Sequence, residues 1–125
     1  MLFRSMSHSH LPHDHGQPTE ALLKALPEIE EFQNLADIFK QLSDGSRLRL
    51  FWILCHCEEC VTNLSVMMGM SSPAISHHLK QLKNAGLIVS RRDGKEVYYK
   101  ASHIPAAQIL HDAFEELMSI TCPID

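Results

Sequence analysis

Aromatic side chains make up only 6% of this 125-residue chain, glycine occurs five times, and tryptophan once. With so few large rings, a core must be built from Leu, Ile, Ala and Met. At 45% hydrophobic content, the length suits one compact domain rather than two. No apolar run reaches the roughly 20 residues needed to cross a bilayer, so no membrane partner is expected. The opening MLFRSMSHSHLPHDHGQP has no continuous apolar segment of the secretory kind. The expected location is therefore the cytoplasm, where the four cysteines serve as reduced thiols or metal ligands. HExxH, a Gly-rich phosphate loop, and a Ser or Cys nucleophile with a recognisable partner arrangement are all missing. The chain does not read as an enzyme.

What is there is concentrated in residues 71–100, SSPAISHHLKQLKNAGLIVSRRDGKEVYYK. Ser71 or Ser72 can cap a helix, and Pro73 sits where a missing N–H costs nothing. Ile75, Leu79 and Leu82 recur at helical spacing as a buried stripe. Ser76, His77, Lys80, Gln81 and Lys83 fall largely outside it. Asn84-Ala85-Gly86 ends the helix, with Gly86 free to turn left-handed. Leu87–Arg91 reads as a strand, Asp93-Gly94 as a tight turn, and Glu96–Lys100 as the returning strand. A recognition helix running into a two-stranded wing is a way of holding double-stranded DNA.

The net charge of −4 conceals a division along the chain. Residues 1–45 carry three basic and seven acidic groups, residues 46–100 eight and four, and residues 101–125 none and four. Positive charge is confined to the segment that would face phosphates. Residues 1–18 read as a flexible His-rich tail, and residues 19–122 as the folded domain. Helices are predicted at Glu20–Leu26, Glu28–Leu42, Arg47–Cys55, 60–68 and Ile104–Ile120. The helix over 60–68, the turn Gly69-Met70-Ser71 and the helix after it form a helix-turn-helix. The fold class is mainly α with a β-hairpin wing, a winged helix-turn-helix.

LADIFKQLSDGSRLRLFWIL and ECVTNLSVMMGMSSPAISHHLKQLKNAGLIVSRRDGKEVYYKA, together with the Cys and His content and the closing helix, resemble the ArsR/SmtB family of winged-helix metal-sensing repressors over about residues 30–120. The resemblance implies a homodimer that binds an inverted-repeat operator, represses transcription, and lets go on meeting an inducer. Two recognition helices related by a two-fold lie about one DNA turn apart, which calls for a palindrome. Ser76, His77, Lys80 and Gln81, flanked by Ser72 and Lys83, are the candidates to reach base edges or nearby phosphates. Arg91, Arg92 and Lys95 in the wing suit phosphates or the minor groove.

Three stretches carry sensor chemistry. Cys55, Cys57 and Cys60 lie within six residues, and thiolate with imidazole selects soft or borderline ions. The resemblance aligns Cys60 with the first cysteine of a Cys-Val-Cys metal pair, but Thr62 replaces the second. His8, His10, His13 and His15 in the tail can wrap a borderline metal, and in some family members N-terminal residues close the site. In the last helix, His111 and Glu115 share a face at i, i+4 and could hold metal with His103 of a second subunit, although the family's zinc pattern there is broken. Cys122 would join the cysteine cluster only if the C-terminus folded back. The suspected ion is Zn, Cd, Ni, Co, Cu or As. Two other readings are open: a repressor of the same fold whose thiols sense oxidants or reactive sulfur, and a metal-buffering protein with no DNA target.

Overall fold

A computed structural model describes residues 11–119 of the chain. The chain divides into two units between Ile38 and Phe39, and each is described by itself. In the first, α1 (Thr19–Ala25) starts after Pro18 and leaves helical geometry at Leu26, whose ψ of 132° is the extended setting imposed by a following proline. Helix α2 (Ile29–Gln41) runs on past the division. Glu31 reaches back to accept the Glu28 backbone N–H at 3.1 Å, half of a capping box. Ile29, Phe32 and Leu35 recur at helical spacing along α2 and are exposed.

The second unit holds the core. Helix α3 (Gly45–Leu54) is capped by Asp44, whose carboxylate accepts the Arg47 N–H at 3.0 Å. This bond holds the Asp44 carboxyl below the ordinary carboxylate range. Strand β1 (Glu59–Cys60) leads into α4 (Val61–Met68), and α5 (Ser72–Asn84) follows a turn at Gly69, whose φ of 64° is left-handed. Strands β2 (Ile88–Asp93) and β3 (Glu96–Ala101) form the hairpin, and α6 (Pro105–Met118) closes the described chain. Leu50, Phe51 and Leu54 of α3, Leu64 and Met68 of α4, and Ile75, Leu79 and Leu82 of α5 are buried together with Leu87 and Ile88. Phe114 brings α6 onto α3 through an edge contact with Phe51 at 6.0 Å. The architecture is the expected winged helix-turn-helix.

Two local readings change. The sheet has three strands in the order β1-β3-β2; Cys60, expected at the start of the helix over 60–68, lies in a strand instead, because Glu59 pairs with Tyr99 and Cys60 with Tyr98. Two residues are too short for a periodic signal, so only the pairing reveals them. The hairpin turn sits one residue later than expected, at Gly94-Lys95, because Asp93 still pairs with Glu96 and Gly94 takes the positive φ.

Candidate functional site

The polar face of α5 is set by the helix's own stop and start signals. Ser71 Oγ accepts the Ala74 N–H at 3.2 Å. At the other end, Gly86 N–H donates to Lys83 O and Leu87 N–H to Leu82 O, a Schellman closure that turns the chain directly into the wing. With Ile75, Leu79 and Leu82 inside, the helix exposes Ser72, Ser76, His77, Lys80 and Lys83, while Gln81 is half-buried. His78 is half-buried, 3.5 Å from the Arg47 guanidinium, and burial pushes its pKa down. It packs beneath the face rather than standing on it. Lys83 Nζ donates to Ser90 Oγ at 2.8 Å, tying the end of α5 to the wing.

Arg91 behaves differently from the other wing cations. Its Nε and Nη2 donate to the two Glu58 oxygens at 2.9 and 2.8 Å, and its guanidinium lies 4.9 Å from the Tyr98 ring centre. A bidentate fork of this kind fixes orientation as well as charge. It holds the Glu58 carboxyl below its ordinary range and raises Arg91. Arg91 thus anchors the wing to the segment before β1, while Arg92 and Lys95 are exposed. Donors along α5 and cations in the wing together match the acceptor edges and phosphates of a duplex.

A second site lies where the end of α3 meets α6, in a cleft of about 630 Å³. His56 follows α3, its ring 4.4 Å from that of Trp52. Its Nε2 lies 2.9 Å from His111 Nε2 of α6. Glu115, one turn on, brings Oε2 to 3.6 Å from the same His111 nitrogen. On the far side of the ring, His111 Nδ1 lies 3.3 Å from Asp112 Oδ1. Among the described residues, His56, His111 and Glu115 are the only three possible ligands whose donor atoms all lie within 4.8 Å of one another. His111 is also the one buried polar residue there, 8% exposed.

The structure distributes the other expected ligands. Cys55, Cys57 and His103 line the same cleft without joining that group. The Cys57 thiol donates to Ile53 O at 3.5 Å, and burial, reinforced by Glu59, raises its pKa. A raised thiol pKa disfavours the thiolate that both metal binding and redox attack need. Cys60 is buried at the N-cap of α4, and the three thiols do not converge into a ligand group among the described residues. His13 and His15 stack at 5.8 Å in the first unit; His8, His10 and Cys122 lie outside the described residues. Sequence reasoning placed His111 with Glu115 but missed His56 as their partner, because that contact spans 55 positions. The one available signal was an imidazole two residues beyond Leu54, the last buried position of α3.

Residues 44–90 match the model of the bacterial regulatory protein, arsR family. The chain is 41% identical over 81 residues to the arsenical resistance operon repressor of Escherichia coli, covering 62% of this chain and 69% of that one. It is 39% identical over 83 residues to the transcriptional repressor SmtB homolog of Synechocystis sp., covering 64% and 63%; the chain thus spans less than two thirds of that relative's length. Among solved structures, NolR from Sinorhizobium fredii superposes with a TM-score of 0.68 at 27% identity, covering 74% of this chain and 91% of that one. The helix-turn-helix, its wing and these relatives agree, and the chain belongs to the arsR family of bacterial regulatory proteins.

Proposed function

We propose that this protein is a transcriptional repressor that binds an inverted-repeat operator as a homodimer and is released by a metal ion. The observation that carries the reading is α5: its apolar face is fully buried while Ser76, His77 and Lys80 stand exposed beside a wing bearing Arg92 and Lys95. The family relatives include a repressor of an arsenical resistance operon, which supports repression and a metal or metalloid inducer. Dimerisation is supported by apolar side chains that a monomer leaves in water: Ile109, Leu117 and Met118 on α6, 66%, 82% and 49% exposed, and Phe32 and Leu35 on α2.

The test is fluorescence anisotropy with fragments of the protein's own promoter region, over a range of salt. The expected result is tight binding to a palindromic fragment, with log affinity falling linearly with log salt. Lys80→Ala should weaken the palindrome more than a scrambled duplex. Equal weak binding of every sequence would defeat the reading.

A further inference from the structure

We propose that His56, His111 and Glu115 form a binding site within one subunit for a borderline divalent ion of the Zn(II) or Co(II) class, with Asp112 orienting His111 from behind. Four observations support it. First, the donors are spaced for it. Bonds of about 2.0–2.1 Å in tetrahedral geometry place neighbouring donors about 3.3 Å apart. Here the two separations given by His111 Nε2 are 2.9 Å, to His56, and 3.6 Å, to Glu115. Small rotations of the side chains bring both to the required value.

Second, Asp112 stands where an outer partner of His111 is needed, 3.3 Å from Nδ1. With Asp112 accepting from His111 Nδ1, the lone pair of His111 falls on Nε2 and points into the cleft. A carboxylate behind a histidine is the usual outer partner of a metal-bound imidazole. Third, the charges balance: Glu115 and Asp112 together offset a 2+ ion. Fourth, the group is held inside the fold. The His111 and Glu115 side chains are 10% and 17% exposed, unlike an acidic surface cluster. A ring-on-ring contact with Trp52 fixes His56.

Two imidazoles and one carboxylate favour Zn(II), Co(II) or Ni(II) over ions that demand thiolates. The Cys57 thiol is turned to Ile53 O and stands outside the group, which leaves water as the fourth ligand. The ion would join the end of α3 to α6. It would also hold the segment that carries Glu58, two residues on, and through Glu58 the wing anchor Arg91. This last consequence rests on the DNA-binding reading above; the site itself does not.

The experiment is titration of the full-length protein with Co(II), followed by visible d–d absorption. It uses a background in which His8, His10, His13 and His15 are replaced by Ala, so that the tail contributes nothing. One equivalent should give the intense bands of a four-coordinate site, without a thiolate charge-transfer band, and Zn(II) should erase them. Glu115→Gln, the variant expected to disturb folding less than a change at His111, should weaken binding more than about tenfold. Asp112→Asn should weaken it about 10–100-fold while keeping the band shape. His56→Ala and His111→Ala should abolish the bands; circular dichroism confirms which variants fold. Unchanged Co(II) affinity in folded Glu115→Gln, bands that survive in folded His56→Ala, strong thiolate charge transfer, or the loss of all bands in the tail-substituted background would each overturn the proposal. A site that binds Co(II) as described in a protein that ignores its promoter would overturn the DNA reading alone.

Discussion

The reading face on α5 and the His56–His111–Glu115 cleft are built by opposite means. The face comes from contiguous residues: one helix turns its apolar stripe inward, and the polar remainder is displayed by default. The cleft is assembled from the end of α3 and the middle of α6, with its central histidine buried. The first needs only that α5 be docked; the second needs α3 and α6 to meet in register. A surface that reads a long polymer can be a local helix face. A small ion must be surrounded, and surrounding it requires distant segments.

The strongest way to break the contrast is to remove what both regions share. Leu82 is fully buried under α5, and Leu82→Ala should cost about 2–5 kcal/mol. Thermal melts should show one lowered transition, and DNA and Co(II) binding should be lost together on heating. Lys80→Ala separates the regions instead. If Lys80 contacts a base, operator affinity should drop by about 1–3 kcal/mol, while the Co(II) spectrum stays unchanged. A changed spectrum would mean the two regions are not independent in structure. Smaller still, Ser71→Ala removes the α5 N-cap and should cost about 1 kcal/mol, read as a lower melting temperature with the DNA sequence preference retained.

The finest test concerns the strut between the regions, Glu58 with Arg91. Glu58 is held below its ordinary range in the fold, so its contribution is present above the unfolded carboxylate value and lost as pH falls through the lowered folded value. The wing should therefore be insensitive to pH near neutrality. Side-chain NMR of Arg91 should lose its protected guanidinium signals only in acid. Glu58→Gln should remove that acid transition and should reduce the effect of Zn(II) on operator affinity without weakening Co(II) binding.

How much of this could be read from the chain follows the same division. Ile75, Leu79 and Leu82 at helical spacing, Ser71 before Pro73, and Gly86 after Asn84 are local signals, and α5 with its wing emerged from them nearly residue for residue. The hairpin turn slipped by one because either Asp93-Gly94 or Gly94-Lys95 satisfies the glycine, and only pairing decides. The Glu58–Arg91 fork spans 33 positions and left no periodic trace. His111 and Glu115 were visible as an i, i+4 pair. The spacing alone could not choose between His103 and His56 as their partner, since that depends on how α6 docks on α3. The cysteines drew attention by density, yet density does not orient side chains: Cys57 turns to Ile53 O, and Cys60 is buried at the start of α4.

If the cleft is the trigger of operator release, an ion bound there loosens the grip of α5 on DNA. The direct measurement is operator affinity with and without saturating Zn(II), for the wild type and for Glu115→Gln. Zn(II) should weaken the wild type about 5–150-fold, the range of ordinary allosteric coupling, and should leave Glu115→Gln nearly unaffected at a concentration just sufficient to fill the wild-type site. Equal weakening of both proteins, or none in the wild type, would contradict that trigger role.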